Sequence, residues 1–171
     1  MMKNIVMLAL VLLSFNLSAQ TPEKKLSQLG IQLPEMPESL GSYVDMVQVG
    51  NLVFLSGKGP LKADGKYIVG KVGQELTTDD GYRAARLTAI NQLAILKRAF
   101  GSLNKIKRIV KVNGYVNTAD LFTEQSKVMN GFSDLLIEVF GEQGRHARTS
   151  VGVYTLPLNM AVEAEMIIEM K

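Results

Sequence analysis

Between His146 and Ile168 the chain reads HARTSVGVYTLPLNMAVEAEMII, and this stretch gathers most of the side chains that could do chemistry. Arg148 offers a guanidinium fork, a planar set of donors that matches a carboxylate bidentately. Ser150 adds a hydroxyl, Gly152 leaves room, and Glu163 and Glu165 supply carboxylates. Two β-runs are expected here, divided by a turn at Leu156-Pro157-Leu158-Asn159, where proline sets the φ that a turn requires. In the second run Met160, Val162, Ala164, Met166, Ile168 and Met170 alternate with Ala161, Glu163, Glu165, Ile167 and Glu169. Reading the two runs as one hairpin, with Thr155 opposite Met160, sets Gly152 against Glu163 and Ser150 against Glu165. Arg148, Ser150 and both acids then share one face. That face is either a solvated surface of charged pairs or a pocket in which Arg148 grips a planar anion.

Composition narrows the chemistry. The 171 residues suit one domain with a sizeable core, and 47% hydrophobic content is ordinary for a globular chain. The absence of cysteine excludes a disulfide scaffold, a cysteine zinc site and thiol catalysis; a single histidine excludes a histidine-rich metal site and a two-histidine acid/base pair. Net charge is only +3, and the one dense basic run, Lys105, Lys107, Arg108 and Lys111, is divided between faces by strand alternation. It reads as a solvated strand edge, and no nucleic-acid partner is expected.

Residues 1–19 carry a basic start at Lys3, an apolar run from Ile5 to Leu13, and Leu17-Ser18-Ala19 before Gln20. This pattern predicts a secretory signal, hence export to a periplasm or the exterior, with no membrane attachment after its removal. Residues 20–40 hold three of the five prolines and read as an arm lying on the domain, with one turn of helix at Glu23 to Leu29. The domain itself is expected over 41–171.

The elements that must position the chemistry follow in order. Tyr43 to Val49 and Leu52 to Ser56 form a hairpin about Gly50-Asn51. Gly57-Lys58-Gly59-Pro60 ends it with glycines that allow a ligand to approach the backbone closely. Tyr67 to Val69 is a short strand. A helix starts at Thr77-Thr78-Asp79-Asp80, carries an apolar stripe through Tyr82, Ala85, Ala89, Leu93, Leu96 and Phe100, and stops at Gly101. Arg83, Arg86 and Asn91 fall off that stripe, as solvent or edge groups. A strand over Ile106 to Val116 places Val110, Val112 and Val116 in phase. A second helix runs from Phe122 or Thr123 to Phe140, burying Val128, Phe132, Leu135, Leu136 and Val139. The result is an α+β two-layer sandwich, a mixed sheet with both helices on one face. Its other face, bearing Arg148 and the acids, has no element left to cover it and must meet water or another subunit.

These residues resemble the RidA/YjgF family, the reactive intermediate deaminases once grouped as L-PSP endoribonucleases. The likeness rests on Arg148, Leu156-Pro157 and Glu163-Ala164-Glu165 at matching spacing, and on Tyr43, Gly50-Asn51, Ser56-Gly57 and Asn130 upstream. The resemblance implies a chorismate-mutase-like fold, a homotrimer with a cleft between subunits, and hydrolysis of 2-imino acids to 2-keto acids and ammonia without cofactor or metal. By the same resemblance, Arg148 binds the substrate carboxylate and Glu163 orients or activates water. Tyr43 and Asn130 line the cleft, and backbone groups of Ser150 and Gly57 touch the substrate. An imine carbon is already electrophilic, so orientation and one poised water suffice; amide or phosphodiester cleavage would demand more. Ser150, where many members carry cysteine, Gly152, and Lys58-Gly59-Pro60 depart from the family pattern and mark a divergent branch with a reshaped cleft. His146 is open to two readings, an added acid/base or a surface or interface histidine. Of the functions, the alternative to the deaminase is a non-catalytic binder of small carboxylates using the same cleft.

Overall fold

The structure is a computed structural model that describes residues 21–37 and 41–171. The secretory signal expected over 1–19, and residues 38–40 of the arm, lie outside the described residues.

Local signals set the two long helices. Thr77 caps α2 (Thr78–Phe100) by accepting from the Asp80 amide, while the Asp80 carboxylate accepts from the Thr77 amide. Gly101, at φ 75°, ends it in the left-handed conformation that glycine tolerates. Most of the expected apolar positions are buried, Ala85, Ala89, Leu93 and Leu96 on α2 and Val128, Phe132, Leu135, Leu136 and Val139 on α3 (Gln125–Phe140), while Tyr82 and Phe100 at the ends of the α2 stripe are half-buried. The two helices pack on each other and on one face of a five-stranded sheet. The arm contributes α1 (Pro22–Gln28), whose Leu26 is buried in the same core. Glu23 anchors α1 by accepting from the Leu103 amide, Ser102 Oγ and Lys97 Nζ.

The strands are β1 (Met46–Val49), β2 (Leu52–Leu55), β3 (Ile106–Asn117), β4 (Ala147–Val153) and β5 (Val162–Met170), in the spatial order β1-β2-β5-β3-β4. The α+β sandwich expected from the sequence is therefore the observed architecture, with β1 and β2 paired about Gly50-Asn51.

The hairpin expected over 146–168 does not form. β4 pairs in parallel with β3, and β5 pairs antiparallel with the other side of β3, so β3 lies between them. The reason is connectivity. α3 carries the chain from β3 back to the same end of the sheet, and a helical crossover delivers a parallel neighbour. The turn at Pro157–Asn159 is present, with Leu158 and Asn159 both at φ 55°, but it leads across the end of β3 rather than back along β4.

This change of partner reverses the faces. Val112 aligns with both Arg148 and buried Met166, whereas Tyr115 aligns with both Val151 and Glu163. Arg148, Ser150 and Gly152 thus point to the helix layer, and Glu163 and Glu165 to the open face. Two smaller departures have separate causes. A register shift between Ile109 and Lys111 puts Ile109 rather than Val110 into the core. Asn91, expected at an edge, is fully buried, where its amide donates to the carbonyls of Gly59 and Leu61.

Candidate functional site

The expected site residues fall into two groups in one chain. The first lies at the free edge of β4 against α3. Ser126, Asn130 and Ser133 recur at spacings of four and three, which stacks them on one helix face. Arg148 reaches that face. Its Nη1 donates to Asn130 Oδ1 at 3.1 Å and to Ser133 Oγ at 2.9 Å, and its Nη2 donates to the Ser126 carbonyl at 3.2 Å. Each of these partners is neutral. Among the described residues no carboxylate lies in ion-pair contact with Arg148, and burial, opposed by the charge of Asp134, lowers its pKa. Ser150, on the same face two residues along, has a buried hydroxyl oxygen without a hydrogen-bond partner. The guanidinium is held in place while its charge stays uncompensated, which suits an anion arriving from outside.

The second group lies across the sheet, in a cleft of about 250 Å³ lined by Tyr43, Gly57, Lys58, Tyr67, Met160 and Glu163, with Met36 and Pro37 of the arm as a further wall. α2 holds the end of β2 here. Gln92 Nε2 donates to the carbonyls of Ser56 and Ala164, beside the Asn91 bonds to Gly59 and Leu61. Gly57 leaves room for the Glu163 carboxylate, which a methyl group there would displace. Burial pushes the Glu163 pKa up, neighbouring Glu165 adds to the rise, and Lys58 opposes it. Lys58 Nζ lies 2.6 Å from Asp45 Oδ1, and Asp45 Oδ2 takes Arg98 Nη2 at 2.5 Å. Arg98 also donates to the Met36 carbonyl, which ties the arm to the cleft wall. Lys58 further stands 5.8 Å from the Tyr43 ring centre.

Sequence reasoning missed Ser126, Ser133 and Tyr67. The first and second could have been found by extending the Asn130 position one turn each way along its helix. Other hollows carry less chemistry; one of about 310 Å³ beneath α1 holds Glu23, whose carboxylate is occupied by its cap contacts. Among the described residues no group of three or more histidine or acidic side chains is arranged to hold a metal ion, and no helix is long and apolar enough to cross a membrane.

The open sheet face extends this second group. Val47, Val49, Leu52, Phe54 and Val151 are 38% to 63% exposed, and the strand register places them all on the side of Glu163.

The two-layer α+β fold that carries these two groups is found in known proteins. The family described as "YjgF/chorismate_mutase-like, putative endoribonuclease" matches residues 23–170. The chain belongs to this YjgF family. It is 42% identical to Protein TCP17 of Trypanosoma cruzi over 85% of this chain and 91% of that one. It is 31% identical to a 2-iminobutanoate/2-iminopropanoate deaminase of Dermatophagoides farinae, over 81% of this chain and 93% of the relative. A crystal structure from Shewanella oneidensis, described as a "putative endoribonuclease", superposes with a TM-score of 0.85 at 38% identity, covering 88% of this chain and all of that one.

Proposed function

We propose that the chain hydrolyses small 2-imino acids, or their enamine tautomers, to 2-keto acids and ammonia in a cleft between copies of a homotrimer. The observation that carries this reading is the Arg148 guanidinium, half-buried and bonded only to neutral acceptors. A planar carboxylate is the ligand that such a fork matches best. The deaminase relative acts on substrates of that kind, as its name states.

Arg148 and Glu163 point to opposite faces of one sheet, so a single chain does not bring them onto one small molecule. The exposed apolar stripe beside Glu163 supports a second copy docking there, and a docked copy can present its own Arg148 edge to the cleft. Arg148 then holds the carboxylate and fixes the plane of the C=N bond. Tyr43, Asn130 and the backbone at Gly57 and Ser150 bound the cleft. Water attacks the imine carbon and forms the C–O bond while Glu163 takes its proton. The same carboxyl passes that proton to nitrogen, giving the carbinolamine, and then carries the remaining O–H proton to nitrogen as the C=O bond forms, the C–N bond breaks and ammonia leaves. The raised pKa of Glu163 suits a group that must both accept and return a proton. The secretory pattern of residues 1–19 supports an activity exercised outside the cytoplasm.

The test is release of ammonia and keto acid from imino acids generated in situ. Arg148→Ala is expected to lower the rate by about 10²-fold or more, since loss of substrate orientation alone has that effect. A rate unchanged by Arg148→Ala rejects the assignment. Binding of 2-keto acids with no turnover by the wild type replaces it with a carboxylate-binding function.

A further inference from the structure

His146 is the one histidine of the chain and takes no part in the mechanism above. Its ring is half-buried between α3 and the 3-10 turn Gly141–Gly144. Nδ1 lies 2.6 Å from the Gly144 carbonyl oxygen, and Nε2 lies 3.0 Å from Ser133 Oγ. A carbonyl only accepts, so Nδ1 carries the hydrogen in the neutral ring. Nε2 is then the acceptor, and the single Ser133 hydroxyl proton points to it. The same Ser133 oxygen accepts from Arg148 Nη1 at 2.9 Å. The carbonyl that fixes this tautomer is itself fixed, because Gly144 packs so closely on the Leu136 carbonyl that a methyl group would not fit.

We propose that the Arg148 anion site takes up a proton together with its anion, with His146 receiving the proton and Ser133 turning its hydroxyl from His146 to the anion. The proposal rests on Arg148 being the carboxylate site. A proton from solvent binds Nε2, which becomes a donor to Ser133 Oγ. The Ser133 O–H, no longer needed by the ring, turns outward beside the guanidinium. The anion gains one hydrogen bond and one nearby positive charge, so both effects have the same sign. Without an anion, protonation is opposed. Burial lowers the His146 pKa, the Arg148 charge lowers it further, and the Gly144 bond only partly offsets them. An anion on Arg148 screens that charge and lifts the opposition.

The charged groups around the ring are few. Arg148 faces it from β4. Asp134, next to Ser133 on α3, acts on Arg148 and is bonded by Tyr82 of α2 at 3.0 Å. Arg145 and Glu142 of the preceding turn pair with each other at 3.0 Å.

A lone histidine gives one pair of imidazole C–H signals, from Cε1 and Cδ2, which makes the test direct. Its pKa is followed by NMR with and without saturating 2-oxobutanoate, a 2-keto acid, and the affinity for 2-oxobutanoate is measured by calorimetry at pH 5 and pH 8. The pKa is expected to rise by about one pH unit on binding, and by reciprocity affinity is about tenfold higher at pH 5. His146→Gln is expected to keep the pH 8 affinity and lose the gain at pH 5, and Ser133→Ala to lose part of it. Glu163 remains in both variants, so the difference from wild type isolates the histidine. Binding that is equally strong at both pH values, with an unmoved histidine signal, overturns the proton coupling and leaves the carboxylate site standing. Absence of binding at either pH overturns both.

Discussion

Arg148 meets only neutral oxygen atoms, from Ser126, Asn130 and Ser133, whereas Glu163 lies beside a second acid and a lysine already paired to Asp45. The α3 edge keeps a charge available by surrounding it with dipoles that orient it without cancelling it. The Gly57 cleft does the reverse, and holds an acid whose charged form is disfavoured by burial and by a like neighbour. The first arrangement suits gripping a ligand and the second suits moving a proton. On the proposed reading each is half a site, and the apolar side chains of the open face are where a second copy docks.

The contrast can be broken on the cleft side alone. Gly57→Ala is expected to displace the Glu163 carboxylate and lower turnover by about 10²-fold, with 2-keto acid affinity at Arg148 little changed. Steady-state rates with calorimetry check this, and a parallel loss of affinity would mean that the halves are not separate. Asn91→Ala removes the side-chain donor to the part-buried Leu61 carbonyl and to the Gly59 carbonyl, which keeps only the Leu61 amide. It is expected to cost about 1–3 kcal/mol of stability in urea unfolding, and to slow turnover more than it weakens anion binding. The smallest effect is electrostatic. Burial raises the Glu163 pKa on folding, so the folded chain binds this proton more tightly than the unfolded chain. The resulting stabilisation is present at low pH and is lost as pH rises through the folded pKa. Glu163→Gln is therefore expected to melt slightly higher than wild type at pH 8. The two melt alike below the ordinary glutamate pKa of about 4.3.

What could be read from the chain was local. Thr77 with Asp80 signals a helix start, Gly101 a stop, and the spacing of Phe132, Leu135, Leu136 and Val139 a buried face, because each depends on residues within a turn or two. Alternation along β5 was legible for the same reason, and Met160, Val162, Ala164, Met166, Ile168 and Met170 are all buried. The partner of β4 was not legible. Alternation gives two faces but does not say which one meets the helices, and a proline turn between two β-runs looks the same whether they pair or straddle a third strand. That single choice moved Arg148 and Ser150 across the sheet from Glu163. Asn91 failed similarly, since its burial depends on carbonyls some 30 residues away in sequence.

The central claim is that the arginine of one copy serves the acid of another, and complementation between inactive variants tests it most directly. Arg148→Ala and Glu163→Gln chains, each inactive alone, are co-assembled in equal amounts and mixed oligomers are verified by native mass spectrometry. If each site draws Arg148 from one chain and Glu163 from its neighbour, random assembly restores about a quarter of the sites, and about a quarter of the wild-type rate returns. Mixed oligomers that release no ammonia contradict the shared cleft.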